Sequence, residues 1–495
     1  YAASTKTTYG FILNLNNNSR HGHQDNYGKN FNALEIVDST GTGLITGNNK
    51  RTNSGANLNF LHKFNNNGRE ISADLNYSKY DSRGTQELFN RMALPDGRIT
   101  SVDEFHYDLP AKIDIYTIKA DYVHPLKNKS GLEAGFKSSF VSNDNNSGYY
   151  EVEASSLKPD LGKSNHFIYR ENIHAAYLNS RKTWSRFGVQ LGVRMEYTQS
   201  SGRQLGNTLI TASSFSRQYL NLFPTSYISY KLDSTGRNSL NLSMSRRLNR
   251  PNYGQLNPFL MFQDNYSYTS GNAMLRPQFN GNYELTYRHK NWLGLSVRYS
   301  EFSNIIMQAT DAIDNIFITR PDNFARGYFF ALASDVSLSP AKWWNLNANI
   351  AVRHLAIKAT INTQTIDNSW EVLRVNFINQ FKFNKSWSAE AGGNYMSRDR
   401  GGQTITSEMF RINAAVQKKI LKNKGNLKLS IEDIFHSARM TERLVTLKQA
   451  ASLHTNVSDT RRIGLAFTFG FGKETFARKR RNTDNAADEE KARVN

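Results

Sequence analysis

Apolar and polar residues alternate with a period of two along much of this chain. Residues 280–300, NGNYELTYRHKNWLGLSVRYS, show the pattern on both sides of a short turn: Tyr283, Leu285 and Tyr287, then Leu293, Leu295, Val297 and Tyr299. Between them stand Glu284, Thr286 and Arg288, then Gly294, Ser296, Arg298 and Ser300. Successive side chains of a strand point to opposite faces, so each half is a strand with one oily and one wet face. The pattern recurs in EISADLNY (70–77) and FGVQLGVRMEYT (187–198), and at Leu240, Leu242 and Met244. It returns at Leu346, Ala348, Ile350 and Val352, and at Ile463, Leu465, Phe467, Phe469 and Phe471. Helical periodicity is missing before the charged tail. The chain is therefore expected to be all-β, with strands of about ten residues.

The connections fall into two length classes that alternate. Short ones are NNNG (65–68), LKNKS (126–130), DSTGRN (233–238), HKN (289–291), NKS (384–386) and LKNKG (421–425). Long ones occupy 82–111, 142–165, 200–217, 248–279 and 303–325. Strict alternation places every long connection at one end, as in an outer-membrane barrel with short periplasmic turns and long external loops. A sandwich has no reason to produce that asymmetry, and a propeller would show a blade repeat.

Counting back from a strand that ends at Phe471, descending strands are expected near 458–471, 403–420, 367–383, 326–339, 280–289, 218–232, 166–181, 112–125 and 55–66. Ascending strands lie between them, the first near 7–16. The total is about 18, which fits either a closed porin-like channel or most of a 22-stranded transporter. The expected fold class is all-β: a large antiparallel transmembrane β-barrel. Five of the six tryptophans, Trp184, Trp292, Trp343, Trp344 and Trp387, lie at short turns. In a bilayer-spanning barrel they form an aromatic girdle at headgroup level.

Composition removes the competing classes. Only 38% of residues are hydrophobic, yet there are 24 Tyr and 29 Phe, whereas disordered chains are poor in aromatics. No apolar run reaches the roughly 18 residues of a membrane helix. A spanning strand needs only about ten residues, alternate ones apolar, and averages to polar. There is no cysteine, so no disulfide framework or thiolate metal site is available. The chain opens at Tyr1 without Met or a visible signal, and is expected to be a mature or partial chain whose targeting segment has been lost. The +20 charge is scattered apart from ArgLysArgArg at 478–481, so nucleic acid is not an expected partner; an anionic ligand or lipopolysaccharide suits the excess.

Seven segments carry a resemblance: DYVHPLKNKSGLEAGFKSS (121–139), NIHAAYLN (172–179), GVRMEYT (192–198), LFPTSYISYKL (222–232), SRRLNRPNYGQLNPF (245–259), GNAMLRPQFNGNYELTYRHKN (271–291) and the terminal RRIGLAFTFGFGK (461–473). They resemble the outer-membrane β-barrel family of the TonB-dependent receptor class, over about 120–473. That resemblance implies a 22-stranded barrel in the outer membrane of a Gram-negative bacterium, filled by an N-terminal plug domain and energised by TonB. No stretch here resembles the plug or the TonB-contacting box. The expected organisation is a barrel over 1–473, missing its plug and first strands, and a charged periplasmic tail over 474–495 that is disordered; the alternative is a member that has lost its plug, which would remove the ground for active import. The expected function is energised uptake of a nutrient ligand such as a glycan, peptide or metal chelate. The alternatives are a structural barrel in a larger outer-membrane complex for protein export or surface display, or a passive porin-like channel. The implied partners are outer-membrane lipid and lipopolysaccharide, TonB through the plug, and a surface lipoprotein or other complex subunits. Long loops are expected outside the cell and the C-terminus in the periplasm.

Charged residues on the polar faces, Glu133, Lys137, Arg194, Glu196, Glu284, Arg288 and Arg298, are expected to face the lumen or a plug. On the lipid face near the midplane such charges cost about 2–4 kcal/mol each. Arg194 and Glu196 stand two apart, placed to pair with each other or with a neighbouring strand. The external loop 248–279 offers Arg250, Tyr253, Phe259, Phe262, Tyr266 and Tyr268, stiffened by Pro251, Pro258 and Pro277, as ligand-contacting groups. The same residues also suit a purely structural role in folding the loop. His21 and His23 with Asp25 form a loop of metal-binding character, but two histidines without a scaffold ordinarily are only solvated, and no metal or cofactor is expected. No HExxH, GxSxG, phosphate loop or cysteine nucleophile is present, and the chain is read as a non-enzyme.

Overall fold

The computed structural model describes all residues except 1–2, 33, 265–266, 314–315, 362–363, 402, 446–451, 458, 472–485 and 495; for 262–264, 312–313, 364, 452, 454 and 456 only the backbone is described. Seventeen successive antiparallel ladders join eighteen strands into one meandering wall, from Thr7–Phe31 to Arg462–Phe469. Three short strands, Ser156–Pro159, Leu260–Asp264 and Ser267–Ser270, complete a 21-stranded sheet. A separate four-stranded sheet gathers Asp399–Gly401, Thr404–Thr406, Arg439–Leu444 and Ser452–Val457. No ladder joins the first wall strand to the last among the described residues.

The alternation sets the two faces. Leu285 pairs with Val297 and with Leu242, and Tyr283 with Tyr299 and Met244, all on the outer face. Leu285 is 46% exposed, Val297 42% and Leu332 53%. A continuous band of exposed large apolar side chains is stable only against lipid. The opposite face carries the polar partners and the small residues. Gly135 faces Tyr177 across the ladder, and a Cβ there would lie 2.4 Å from the Tyr177 ring. Tyr177 then reaches on to donate its hydroxyl proton to Asp121.

All six predicted short turns connect adjacent strands. In Lys127–Ser130 the Ser130 N–H donates to the Lys127 carbonyl (3.3 Å), while Asn128 and Lys129 hold φ of 59° and 55°. Left-handed residues at both central positions match the twist of the flanking strands. Trp184, Trp292, Trp343 and Trp387 are exposed at this short-turn end, and Trp343, Trp344 and Phe381 stack on one another.

The long connections differ from expectation. Residues 82–111 form a hairpin in which Glu70–Ala93 and Ile99–Leu126 stay paired up to the turn 94–98. Strands likewise run through most of 142–165, 200–217 and 303–325. The first strand is Thr7–Phe31 rather than 7–16, so His21 and His23 sit on a strand and not in a loop. For 82–111 and 142–165 the physical reason is that they bury aromatic side chains against each other: Phe105, Tyr107 and Tyr149 form one cluster with Leu88. Burial of such side chains stabilises a ladder well beyond the lipid band.

Candidate functional site in the lumen

The inner face carries its chemistry on three adjacent strands, Ser130–Glu153, Asn165–Thr183 and Phe187–Leu205. Lys137, Glu171, Arg194 and Glu196 point inward from them. Arg194 lies 2.9 Å from Glu196, the same-strand pairing its spacing allows. Glu171 accepts a hydrogen bond from the Tyr169 hydroxyl at 3.0 Å. On the same face Thr117 Oγ1, Ser139 Oγ and Asn143 Oδ1 are enclosed with no hydrogen-bond partner among the described residues. Enclosed polar atoms of this kind belong to a face built to meet polar contents rather than hydrocarbon.

The described residues of 250–277 fold inward over this face. Pro251 lacks an N–H and ends the ladder of Asn238–Asn249. Asn252 then caps a single helical turn, Tyr253–Leu256, with Gln255 completing a reciprocal capping box. This entry aims Arg250 into the wall, where it donates to Glu196, to Thr198 Oγ1 at 3.2 Å, and lies 4.0 Å from Glu171. Tyr253, Leu256 and Leu275 join Ile113, Ile115, Val141, Phe167 and Tyr169 in one apolar cluster. Phe259 joins Leu88, Phe105, Tyr107 and Tyr149 in another, and Tyr268 packs against that cluster. Tyr253 and Phe259 thus bridge two clusters of the wall instead of standing free. Phe262 and Tyr266 fall outside the residues whose side chains are described.

The other expected lumen residues lie on the inner face by alternation. Glu284 and Arg298 are register partners, 2.6 Å apart. Glu133 is half-buried and Arg288 exposed. His23 Nε2 lies 3.1 Å from Asp25 on an exposed stretch, and no group of three metal-ligating side chains occurs among the described residues.

Sequence reasoning missed Glu171 and the segment Ala486–Val494. The tail departs from the expected disordered extension: this part of it lies against the inner face. Lys137 Nζ is 2.7 Å from Glu489 and 3.1 Å from Glu490, and Arg194 is 3.6 Å from Glu489. Arg493 donates to Glu171 and, through Nε, to the Pro251 carbonyl at 3.0 Å. The only local signal was the spacing of Glu489, Glu490 and Arg493, which puts opposite charges on adjacent turns.

The model of the outer membrane protein beta-barrel family matches residues 62–469. The chain belongs to that family. Its place is the outer membrane. No curated protein sequence matches it. Among solved structures it is similar to the ferric yersiniabactin uptake receptor FyuA from Yersinia pestis, with 10% identity, a TM-score of 0.51, and coverage of 94% of this chain and 80% of that one. It is similar to the siderophore receptor PiuA from Acinetobacter baumannii, with 11% identity, a TM-score of 0.51, and coverage of 94% and 82%. It is also similar to the copper transporter OprC, with 10% identity, a TM-score of 0.50, and coverage of 86% and 74%. At these identities the likeness is one of fold, and a large antiparallel β-barrel, the fold class expected from the sequence, is the one observed.

Proposed function

We propose that this protein is a receptor-type outer-membrane transporter that takes up a polar nutrient ligand by a gated, TonB-dependent route. The observation that carries the reading is the inward fold of residues 250–277, whose Arg250 is locked to Glu196 and Thr198 on the lumen wall. A passive porin keeps its lumen open, whereas a receptor closes it and opens it with energy. Three barrels of this fold bear the names of a siderophore receptor, a ferric yersiniabactin uptake receptor and a copper transporter, which supports a scarce, chelated or otherwise large ligand. In this reading the short turns face the periplasm, the long hairpins face outward, and a plug domain carries the TonB contact. The chain supplies no catalysis.

The test combines conductance and uptake. Full-length protein in planar bilayers is expected to show no steady ion conductance, and removal of the gene is expected to abolish uptake of one nutrient class only while TonB is present. Steady porin-like conductance, or uptake that persists without TonB, would overturn the reading.

A further inference from the structure

The segment Ala486–Val494 and the wall it touches form one charge-balanced contact. Four cations, Lys137, Arg194, Arg250 and Arg493, meet four carboxylates, Glu171, Glu196, Glu489 and Glu490. The wall alone sets three cations against two carboxylates. Among the described residues both ion-pair partners of Lys137, whose side chain is 6% exposed, belong to the segment. An enclosed ammonium requires a counter-charge, and the segment that helps to cover Lys137 also supplies it.

Recognition extends past charge. The Tyr253 N–H donates to the Arg493 carbonyl at 3.1 Å, and Arg51 Nη2 to the Val494 carbonyl at 3.3 Å. The Arg493 guanidinium lies 4.4 Å from the centre of the Tyr253 ring. Ala487 and Val494 are buried in the apolar cluster of Ile115 and Val141. Side chains, backbone carbonyls and apolar ends are thus all read, as in a peptide-binding site.

We propose that this inner face is a peptide-binding seat selective for a Glu-Glu-x-x-Arg segment, and that its occupant is the chain's own residues 486–494. The last wall strand ends at Phe469 beside the short turn 421–424, and 14 residues, 472–485, separate Phe471 from Ala486. Fully extended, they span at most about 45–50 Å, enough to enter the lumen from the short-turn end. Seated there, the segment covers the same stretch of lumen wall as Tyr253 and Leu256. The seat stands apart from the transport reading, because its occupancy is read without cargo or energy supply.

The absence of cysteine supplies the experiment. Val494→Cys places a single thiol at a buried position of the full-length protein, and Asn66→Cys places one on an exposed short turn as reference. In isolated outer membranes a small maleimide is expected to label position 494 at least about tenfold more slowly than position 66, the difference vanishing in urea. Lys137→Glu in the Val494→Cys background is expected to abolish that protection. Arg493→Gln, which leaves the wall untouched, is expected to do the same should the first variant fail to assemble. Equal labelling of positions 494 and 66 in the assembled barrel, or protection unchanged by Arg493→Gln, would overturn the proposal.

Discussion

Arg493 donates a hydrogen bond to Glu171, 322 residues earlier in the chain, and both side chains are nearly enclosed. Glu171 also neutralises part of the charge of Arg250, 4.0 Å away. Removing one carboxylate therefore leaves two guanidinium groups short of a partner, and breaking an enclosed pair costs up to about 3–5 kcal/mol. Glu171→Gln is expected to lower the temperature at which the barrel loses its compact electrophoretic form. Glu432 and Arg462 form a mostly exposed pair at 2.6 Å. Such pairs are worth about 0–1 kcal/mol, so Glu432→Gln is expected to leave that temperature nearly unchanged.

Neighbouring positions of one strand should answer oppositely to the same charge. Val297 faces outward beside Leu285 and Leu332, whereas Ser296 faces the lumen opposite Thr286. An arginine on the lipid face near the midplane costs about 2–4 kcal/mol, and one in a wet lumen far less. Val297→Arg is expected to impair assembly into vesicles, measured as the yield of the compact form, while Ser296→Arg assembles close to normally.

How much was legible follows from where each residue's partners lie. Around Tyr283–Tyr299 the neighbours that matter are lipid on one side and lumen on the other, so period two alone gives both faces. In NHFIYRENIHAAYLN (165–179) it fails. Tyr169 and Glu171 point inward, yet Arg170 and Asn172 point outward, because this height lies beyond the lipid band and the inner face is covered by residues 250–277. Arg250, Tyr253 and Phe259 were legible as a stiff group of special residues, but not as a buried one: their burial comes from Glu196, Tyr169 and Phe105, far away in sequence. The tail reads as solvated charge because its counter-charges stand some 300 residues earlier; for Lys137 and Glu490 the separation is 353.

The tryptophans give a depth gauge. Lys182 Nζ stands 5.2 Å from the Trp184 ring and Lys418 Nζ 4.9 Å from that of Trp387, while His289 packs edge-on against Trp292. Cations beside exposed indoles fit the headgroup boundary. Trp370 differs, donating to Asp399 at 2.8 Å away from the short turns. Lipids brominated close to the carbonyls are expected to quench most of the tryptophan fluorescence, and lipids brominated near the chain ends little. Trp370→Phe is expected to remove chiefly the unquenched remainder.

Asp233 fixes the turn between Ser213–Lys231 and Asn238–Asn249. Its carboxylate accepts from the Thr235 hydroxyl at 2.5 Å, the Arg237 N–H at 3.0 Å, the Asn238 N–H at 2.6 Å and the Asn238 side-chain amide at 2.9 Å. These bonds, that from Thr235 foremost, hold the carboxyl well below the usual carboxylate range. A carboxyl lowered in the folded state contributes stability above its unfolded pKa of about 3.9 and loses it as pH falls through the lower folded value. The turn is therefore expected to be insensitive to pH above about 5 and to loosen only in strong acid. Amide exchange at Arg237 and Asn238 measures it, taken as the ratio of Asp233→Asn to the unsubstituted protein at each pH. The ratio is expected to stay large from neutrality down to about pH 4, then to fall toward unity as the native carboxylate takes up its proton and loses the same bonds.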